Sequence, residues 1–228
     1  MSEGTFLFHI FADNQATEPS LSSVAFVLSA GKEIMKLSII IPVYNLPDLT
    51  KRALDSIPFD EDLEVIVVND GSTEDMSFLE DDVRIRYIAY KPNRSVGYAR
   101  NFAISKARGD YIYGLDNDDY LLTDNFRKAL RQLDGTDIVY VNAQINDGTV
   151  WKLEPNNKRI FCAFWTKFIK RDLIGDTRCI EANLLDDYYF NEDIQNKPHT
   201  EKYTNVLAYH YNYPRVNSII WKKDNGIL

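Results

Sequence analysis

From Leu37 onward, short apolar runs alternate with stretches of helical spacing, and this alternation restricts the fold more than any other feature of the chain. Leu37–Val43 is a continuous, β-branched-rich run that closes on Pro42 and, just beyond, Asn45. A run that does not alternate with polar residues marks a strand covered on both faces, as in a parallel sheet. Pro47–Ile57 then places Leu49, Ala53, Leu54 and Ile57 on one helical stripe. Leu63–Val68 is a second strand, followed by Asn69-Asp70-Gly71-Ser72-Thr73, where Ser72 is expected to cap a short helix with Asp75 answering it. Arg84–Tyr90 reads as a third strand, Gly97–Arg108 as a helix ended by Gly109, and Tyr111–Leu115 as a fourth strand. A helix from Thr123 or Asp124 to Leu133 and a strand over Asp137–Val141 follow. Strands separated by helices predict an α/β fold, with a mainly parallel central sheet flanked by helices.

Ligands of such folds sit beyond the carboxyl ends of the strands. Asn45, Asp70 and the cluster Asp116-Asn117-Asp118-Asp119 all fall at such ends. Carboxylates crowded at the end of a buried strand repel one another, so they await a cation or a cationic partner. Hard oxygen ligands suit Mg²⁺ or Mn²⁺, and Mg²⁺ is typically held by one or two carboxylates together with substrate phosphates. An isolated acidic turn is more often a solvated loop. A calcium loop fits poorly, because Leu121 stands where Gly is needed and Arg127 where the closing Glu belongs. No G-x-G-x-x-G follows a strand, and Gly31-Lys32-Glu33 lacks the spacing of a phosphate-binding loop. If this fold holds a nucleotide, carboxylates and a metal do the holding.

At 228 residues the chain suits one sizeable domain, and the stretch 1–34 reads differently from the rest. Met35 resembles a start position, so 1–34 is open to reading as an extension, an added packing element or an artefact. A net charge of −8 argues against general nucleic-acid binding, which needs a basic face. Cys162 and Cys179 make neither a disulfide framework nor a zinc site, which points to a reducing cytosol. His199 and His210 lack a metal-ligating partner at useful spacing. No stretch approaches the ~20 apolar residues of a membrane span, and the first residues lack the basic start of a secretory signal. The expectation is a cytoplasmic protein, with peripheral association at the inner face of the membrane left open.

Taken in order, SIIIPVYN, VIVVNDGSTED and GYARNFAISKARGDYIYGLDNDDYL resemble the amino-terminal half of family 2 glycosyltransferases, which have the GT-A fold. The usual forms there are P-x-Y-N, D-D-G-S, an A-R-N helix and L-D-x-D-D. FWTKFIKRDLI, CIEANLLDDYYF and YHYNYPRVNSII resemble the W-x-K, E-D-x-x-F and closing Y-x-Y segments of the capsule and lipopolysaccharide transferases. The resemblance runs from about Met35 to Ile220, with 35–141 as the nucleotide half and 142–228 as the acceptor half.

The resemblance implies a role for each matching position. Pro42, Tyr44 and Asn45 border the nucleotide, and Asp70 receives its base. Asp116 faces the ribose or a water on the metal, and Asp118 binds the divalent cation, Mg²⁺ or Mn²⁺, that bridges the diphosphate. Arg100 contacts phosphate or base, with a surface ion pair as the plainer reading. Asp187 is the catalytic base, preceded by Asp186 where Glu is usual; ordinary acid preference at a helix start is the plainer reading for both. Glu181 supports the acceptor or metal side, and Trp165 lines the acceptor side or belongs to the core. The Tyr209–Tyr213 run is read as a packed strand near the site.

No Q-x-x-R-W follows Asp187, which sets the chain apart from processive polymer synthases of the family. The implied activity is an inverting, non-processive, hexosyltransferase-type transfer. A sugar moves from a nucleoside diphosphate, UDP-linked by preference, to a glycan or lipid-linked acceptor in surface polysaccharide assembly. Two rivals remain. A sugar-nucleotide pyrophosphorylase would carry a Gly-rich loop where PVYNLPDL stands, and a degenerate module would bind nucleotide or a partner without turnover.

Overall fold

The computed structural model describes residues 37–155 and 162–226. The expectation for 1–34 lies outside the described residues. Among the described residues nine strands form one mixed sheet. Its parallel part is β1 (Leu37–Val43), β2 (Leu63–Asp70), β3 (Arg86–Tyr90) and β4 (Tyr111–Gly114), in the order β3-β2-β1-β4. Connecting helices are α1 (Pro47–Asp55) between β1 and β2, and α2 (Val96–Lys106) between β3 and β4. The order continues through β8 (Lys167–Lys170), β6 (Ile138–Ile145) and β9 (Glu201–Tyr211) to β5 (Tyr120–Leu121), while β7 (Val150–Trp151) pairs with β6. β8 runs antiparallel to both β4 and β6, and β6 runs parallel to β9. α3 (Thr123–Leu130) follows β5, α4 (Arg171–Ile174) follows β8, α5 (Asp186–Gln195) precedes β9, and α6 (Ile219–Asp224) closes the described chain.

Alternate residues of the buried strands face two cores. Ile39, Ile41, Val65 and Val67 pack with Ala53 and Leu54 of α1 and Phe126 of α3. Ile40, Ile66 and Val68 pack with Ala99 and Ala103 of α2 and Phe190 and Ile194 of α5. Both faces are therefore covered, which is why these strands read as unbroken apolar runs.

The order of strands reverses between β1 and β4. The last bond between the two is Leu115 N–H to Ile40 C=O, at 3.0 Å. Two residues on stands Pro42, which has no N–H to extend the ladder. The crevice at such a reversal is where α/β sheets take ligands.

Several sequence expectations shift. Ser72 caps no helix; its hydroxyl accepts from the Asn45 N–H at 2.8 Å, and the only helical turn nearby is a 3₁₀ turn at Ser77–Leu79. The third strand begins at Arg86 rather than Arg84, because Asp82 captures both the backbone N–H and the guanidinium of Arg84. α3 stops at Leu130, short of Leu133. The strand expected over Asp137–Val141 runs instead from Ile138 to Ile145, as Asn142 stays buried with its Oδ1 accepting from Leu153 N–H. The tyrosine run is strand as far as Tyr211.

Candidate active site

Three loops meet at the carboxyl ends of the parallel strands, and Asn45 knots them together. Its Oδ1 accepts from the N–H groups of Thr73 (2.8 Å) and Glu74 (3.1 Å), while its own C=O accepts from Asn117 Nδ2 at 3.0 Å. To do this Asn45 takes a φ of 60°, a conformation Asn tolerates better than most residues. Tyr44 beside it is 46% exposed, and Pro42 is buried in β1.

Asp70, at the end of β2, is 3% exposed. Its carboxylate accepts from Arg94 N–H (2.7 Å), Ser95 N–H (3.0 Å) and Asn93 Nδ2 (2.9 Å). Gly71 follows with φ 72°, and a Cβ there would lie 2.7 Å from the Asn93 backbone nitrogen. Asp70 thus fixes the loop that leads into α2, and Ser95 caps that helix by accepting from Tyr98 N–H.

The acidic cluster after β4 divides its carboxylates among different partners. Asp116 accepts from Arg100 Nη2 at 2.7 Å. Asp118 pairs with Arg215 Nε at 2.8 Å, and its C=O accepts from Arg52 Nη2 (2.7 Å) and Asn212 Nδ2 (3.2 Å). Asp119 is fully buried and accepts from the Tyr209 hydroxyl (2.6 Å) and Asn212 N–H (2.8 Å). Burial, reinforced by the charges of Asp118 and Asp116, pushes the Asp119 carboxyl well above the usual range. Burial likewise raises Asp118, aided by Asp116 and opposed by Arg215.

Arg100, on α2, is 5% exposed and forked between two carboxylates: Asp116, and Asp186 at 2.5 Å. Asp186 opens α5, and Asp187 follows it in the first turn. Burial pushes the Asp187 carboxyl up to about 6, with Arg100 pulling the other way and Asp186 and Asp116 adding to the rise. A carboxylate titrating near the working pH suits proton transfer. The structure therefore brings Asp116, Arg100, Asp186 and Asp187 together. Glu181 is exposed on the loop before α5. Trp165 is buried and stacks on Tyr209, with ring centroids 4.6 Å apart, so it reaches the acidic cluster through that tyrosine.

Among the described residues no three His, Cys, Asp or Glu side chains are grouped to hold a metal ion. The donor chemistry nonetheless fits a cation of the Mg²⁺ type, which takes one or two carboxylates and completes its shell with water and substrate phosphate. Asp118 supplies such a carboxylate, in surroundings where burial and a neighbouring negative charge disfavour its ionised form.

The sequence gives no sign of a site role for Arg215, Arg52 or Lys167, and marks Tyr209 and Asn212 only as part of a packed strand near the site. Lys167 is fully buried in β8, with its amine 5.6 Å from the centre of the Tyr140 ring, and burial pulls it down to about 7. In the sequence it stands out only as part of the W-x-K segment.

Comparison with known proteins gives a consistent result. The model of the family described as glycosyl transferase family 2 matches residues 38–188. The glycosyltransferase EpsJ of Bacillus subtilis is 36% identical over 190 residues, covering 70% of this chain and 52% of that protein. The chondroitin synthase of Pasteurella multocida is 38% identical over 103 residues, 42% of this chain and 11% of that protein. The chain thus spans about half or less of the length of these relatives. Among solved structures, TarS of S. aureus (residues 1–349) in complex with UDP aligns with a TM-score of 0.66 at 22% identity, over 78% of this chain and 60% of that one. The mannosyltransferase PcManGT of Pyrobaculum calidifontis, in complex with GDP-Man and Mn²⁺, aligns with a TM-score of 0.62 at 18% identity, over 82% and 59%.

Proposed function

The chain belongs to glycosyl transferase family 2, and on that premise we propose that it moves one sugar from a UDP-linked donor to a hydroxyl of a glycan or lipid-linked acceptor. The transfer is metal-dependent, inverts the anomeric centre and serves cell-surface polysaccharide assembly. The observation that carries this reading is the chain of contacts from Asp116 through Arg100 to Asp186, beside Asp187. It joins the carboxyl ends of the parallel strands to a carboxyl raised into the range that suits proton transfer.

In this reading the nucleotide lies over the β1 and β2 ends, bordered by Pro42, Tyr44, Asn45, Asp70 and Asp116. Asp118 would hold Mg²⁺ or Mn²⁺ alongside the donor diphosphate, and such a cation would neutralise charge that builds on the departing diphosphate. Asp187 takes the proton of the acceptor hydroxyl as its oxygen bonds to the anomeric carbon from the face opposite the leaving group. The carbon–oxygen bond to the diphosphate breaks with its electron pair going to the diphosphate. Trp165, Glu181 and Asp186 lie on the acceptor side. The UDP complex of TarS and the Mn²⁺ complex of PcManGT support the donor and cation classes, and the chondroitin synthase supports a polysaccharide product. No described helix is long and apolar enough to cross a membrane.

Calorimetric titration of UDP and a panel of UDP-sugars with Mn²⁺ or Mg²⁺, on the wild type and Asp118→Ala, tests the donor site. Metal-dependent binding that the variant loses supports the proposal. A folded wild-type protein that binds no nucleotide overturns it. One observation favours a module without turnover: Arg215 already neutralises Asp118. Steady donor hydrolysis by the wild type excludes that reading.

A further inference from the structure

The segment between α4 and α5 carries little regular structure of its own, yet it ends at Asp186 and Asp187. What fixes it is α2. Asn101 reads the backbone of a single residue with both ends of its amide: Nδ2 donates to Cys179 C=O at 2.8 Å, and Oδ1 accepts from Cys179 N–H at 2.8 Å. One turn earlier, Gly97 N–H donates to Ala182 C=O at 3.2 Å and Val96 N–H donates to Asn183 Oδ1 at 3.0 Å. The loop lies so close that a Cβ on Gly97 would stand 2.0 Å from the Ile180 carbonyl oxygen. The fourth tie is the ion pair from Arg100 to Asp186, whose other arm grips Asp116. Residues 96, 97, 100 and 101 share one face of the helix, as spacings of three and four require. Just before that last tie the chain turns through Leu185, at φ 62°, and enters α5.

We infer that Asn101 and Arg100 are positioning residues for Asp187: α2 clamps the 179–186 segment and sets the base against the donor-side carboxylate Asp116. Neither needs to touch a reacting atom. The inference rests on the reading of Asp187 as the base. Leu185 is a non-glycine residue in the left-handed region, a conformation that persists only where the surroundings over-determine it, and the clamp supplies that determination. Misplacement by about 1 Å can slow a reaction on the order of 100-fold, so the clamp has a large kinetic lever.

The charged and titratable groups around Asp187 come from several elements. Arg100 comes from α2, Asp186 from α5 and Asp116 from the β4 end. Lys167 of β8 and the thiols of Cys162 and Cys179 complete the set. Two variants should therefore move the base in opposite directions. Asn101→Ala releases the loop and lets water reach Asp187, so the acid limb of the pH–rate profile falls from about 6 towards the ordinary carboxylate range. Arg100→Gln removes the cation that holds the carboxyl down, so the limb rises.

The experiment is transfer kinetics against pH for wild type, Asn101→Ala, Arg100→Lys and Arg100→Gln, with UDP binding by calorimetry and thermal melts alongside. The expected result for Asn101→Ala is a kcat lower by about 10- to 100-fold, a donor KM within about twofold of wild type and a lowered acid limb. Arg100→Lys keeps the charge without the fork, so kcat drops while the limb stays near its wild-type position. Should Asn101→Ala keep the wild-type limb, or lose UDP binding in step with kcat, its role is structural and the inference is overturned. If Arg100→Gln fails to fold, Asn101→Ala still decides the matter. Failure of the function itself looks different: the wild type binds no UDP, or Asp187→Asn retains full transfer.

Discussion

Asp187 sets the pH behaviour of the site. In the proposed role of base it would work in its ionised form, and burial lifts it to about 6, so the transfer rate should climb as pH rises through about 6 and level off above. Asp187→Asn should lower kcat on the order of 100-fold or more across that range. The same shift bears on stability with the opposite sign. A carboxyl whose folded value exceeds its unfolded value favours the protonated native state; its stabilising contribution is full below about 4 and disappears as pH rises through about 6. Asp187→Asn should therefore raise the melting temperature above pH 6 and change it little at pH 4, as calorimetry would reveal. At Asp118, the proposed cation ligand, Arg215 would be the competitor, in a partly exposed pair of the kind worth about 0–1 kcal/mol. Arg215→Gln should tighten binding of Mn²⁺ alone by up to about fivefold, read by calorimetry without nucleotide. None of these pairings was legible in the sequence. Arg215 lies 97 residues from Asp118, and Tyr209 lies 90 from Asp119. A tyrosine or arginine carries no local sign of such a distant partner.

The elements themselves were far more legible. β1, α1, β2 and β4 follow from unbroken apolar runs and a helical stripe, because both faces of the parallel strands are covered. Misreadings occurred where a side chain overrode local preference. Asn142 is polar and ends the apolar reading at Val141, yet its bond to Leu153 N–H lets β6 continue to Ile145. Ser72 has the character of a cap, but the Asn45 N–H claims its hydroxyl. The clamp of α2 gives a prediction at this scale. Gly97→Ala forces its Cβ against the Ile180 backbone, which cannot step aside as a flexible side chain would. Overpacking of this kind costs about 1–3 kcal/mol. Urea denaturation should show that loss, and kcat should fall with it.

Over the whole described chain, one sheet separates two cores, and β8 contributes to both through Phe168 on one face and Ile169 on the other. Phe168 sits among Tyr113, at 4.6 Å, and Phe126, at 5.4 Å, all fully buried. Phe168→Ala should cost about 3–5 kcal/mol, and the loss should appear as one cooperative transition monitored by tryptophan fluorescence. The parallel half of the sheet could be read from the sequence, since its strands arrive in simple alternation with helices. The arrangement of the other half could not, because β8 inserts between β4 and β6 and runs against both.

The forked grip of Arg100 has a practical consequence for anyone who grafts parts between relatives. The boundary near residue 141 falls inside β6, and a chimera joined there would separate α2 from the loop it holds. Segments on either side of it taken from two parents would share a sheet yet have no agreed seating for Asp187, the proposed base. A working hybrid has to import Gly97, Arg100 and Asn101 together with the 179–187 segment. Exchange of Asp186 for the longer Glu would require the same trio to be refitted.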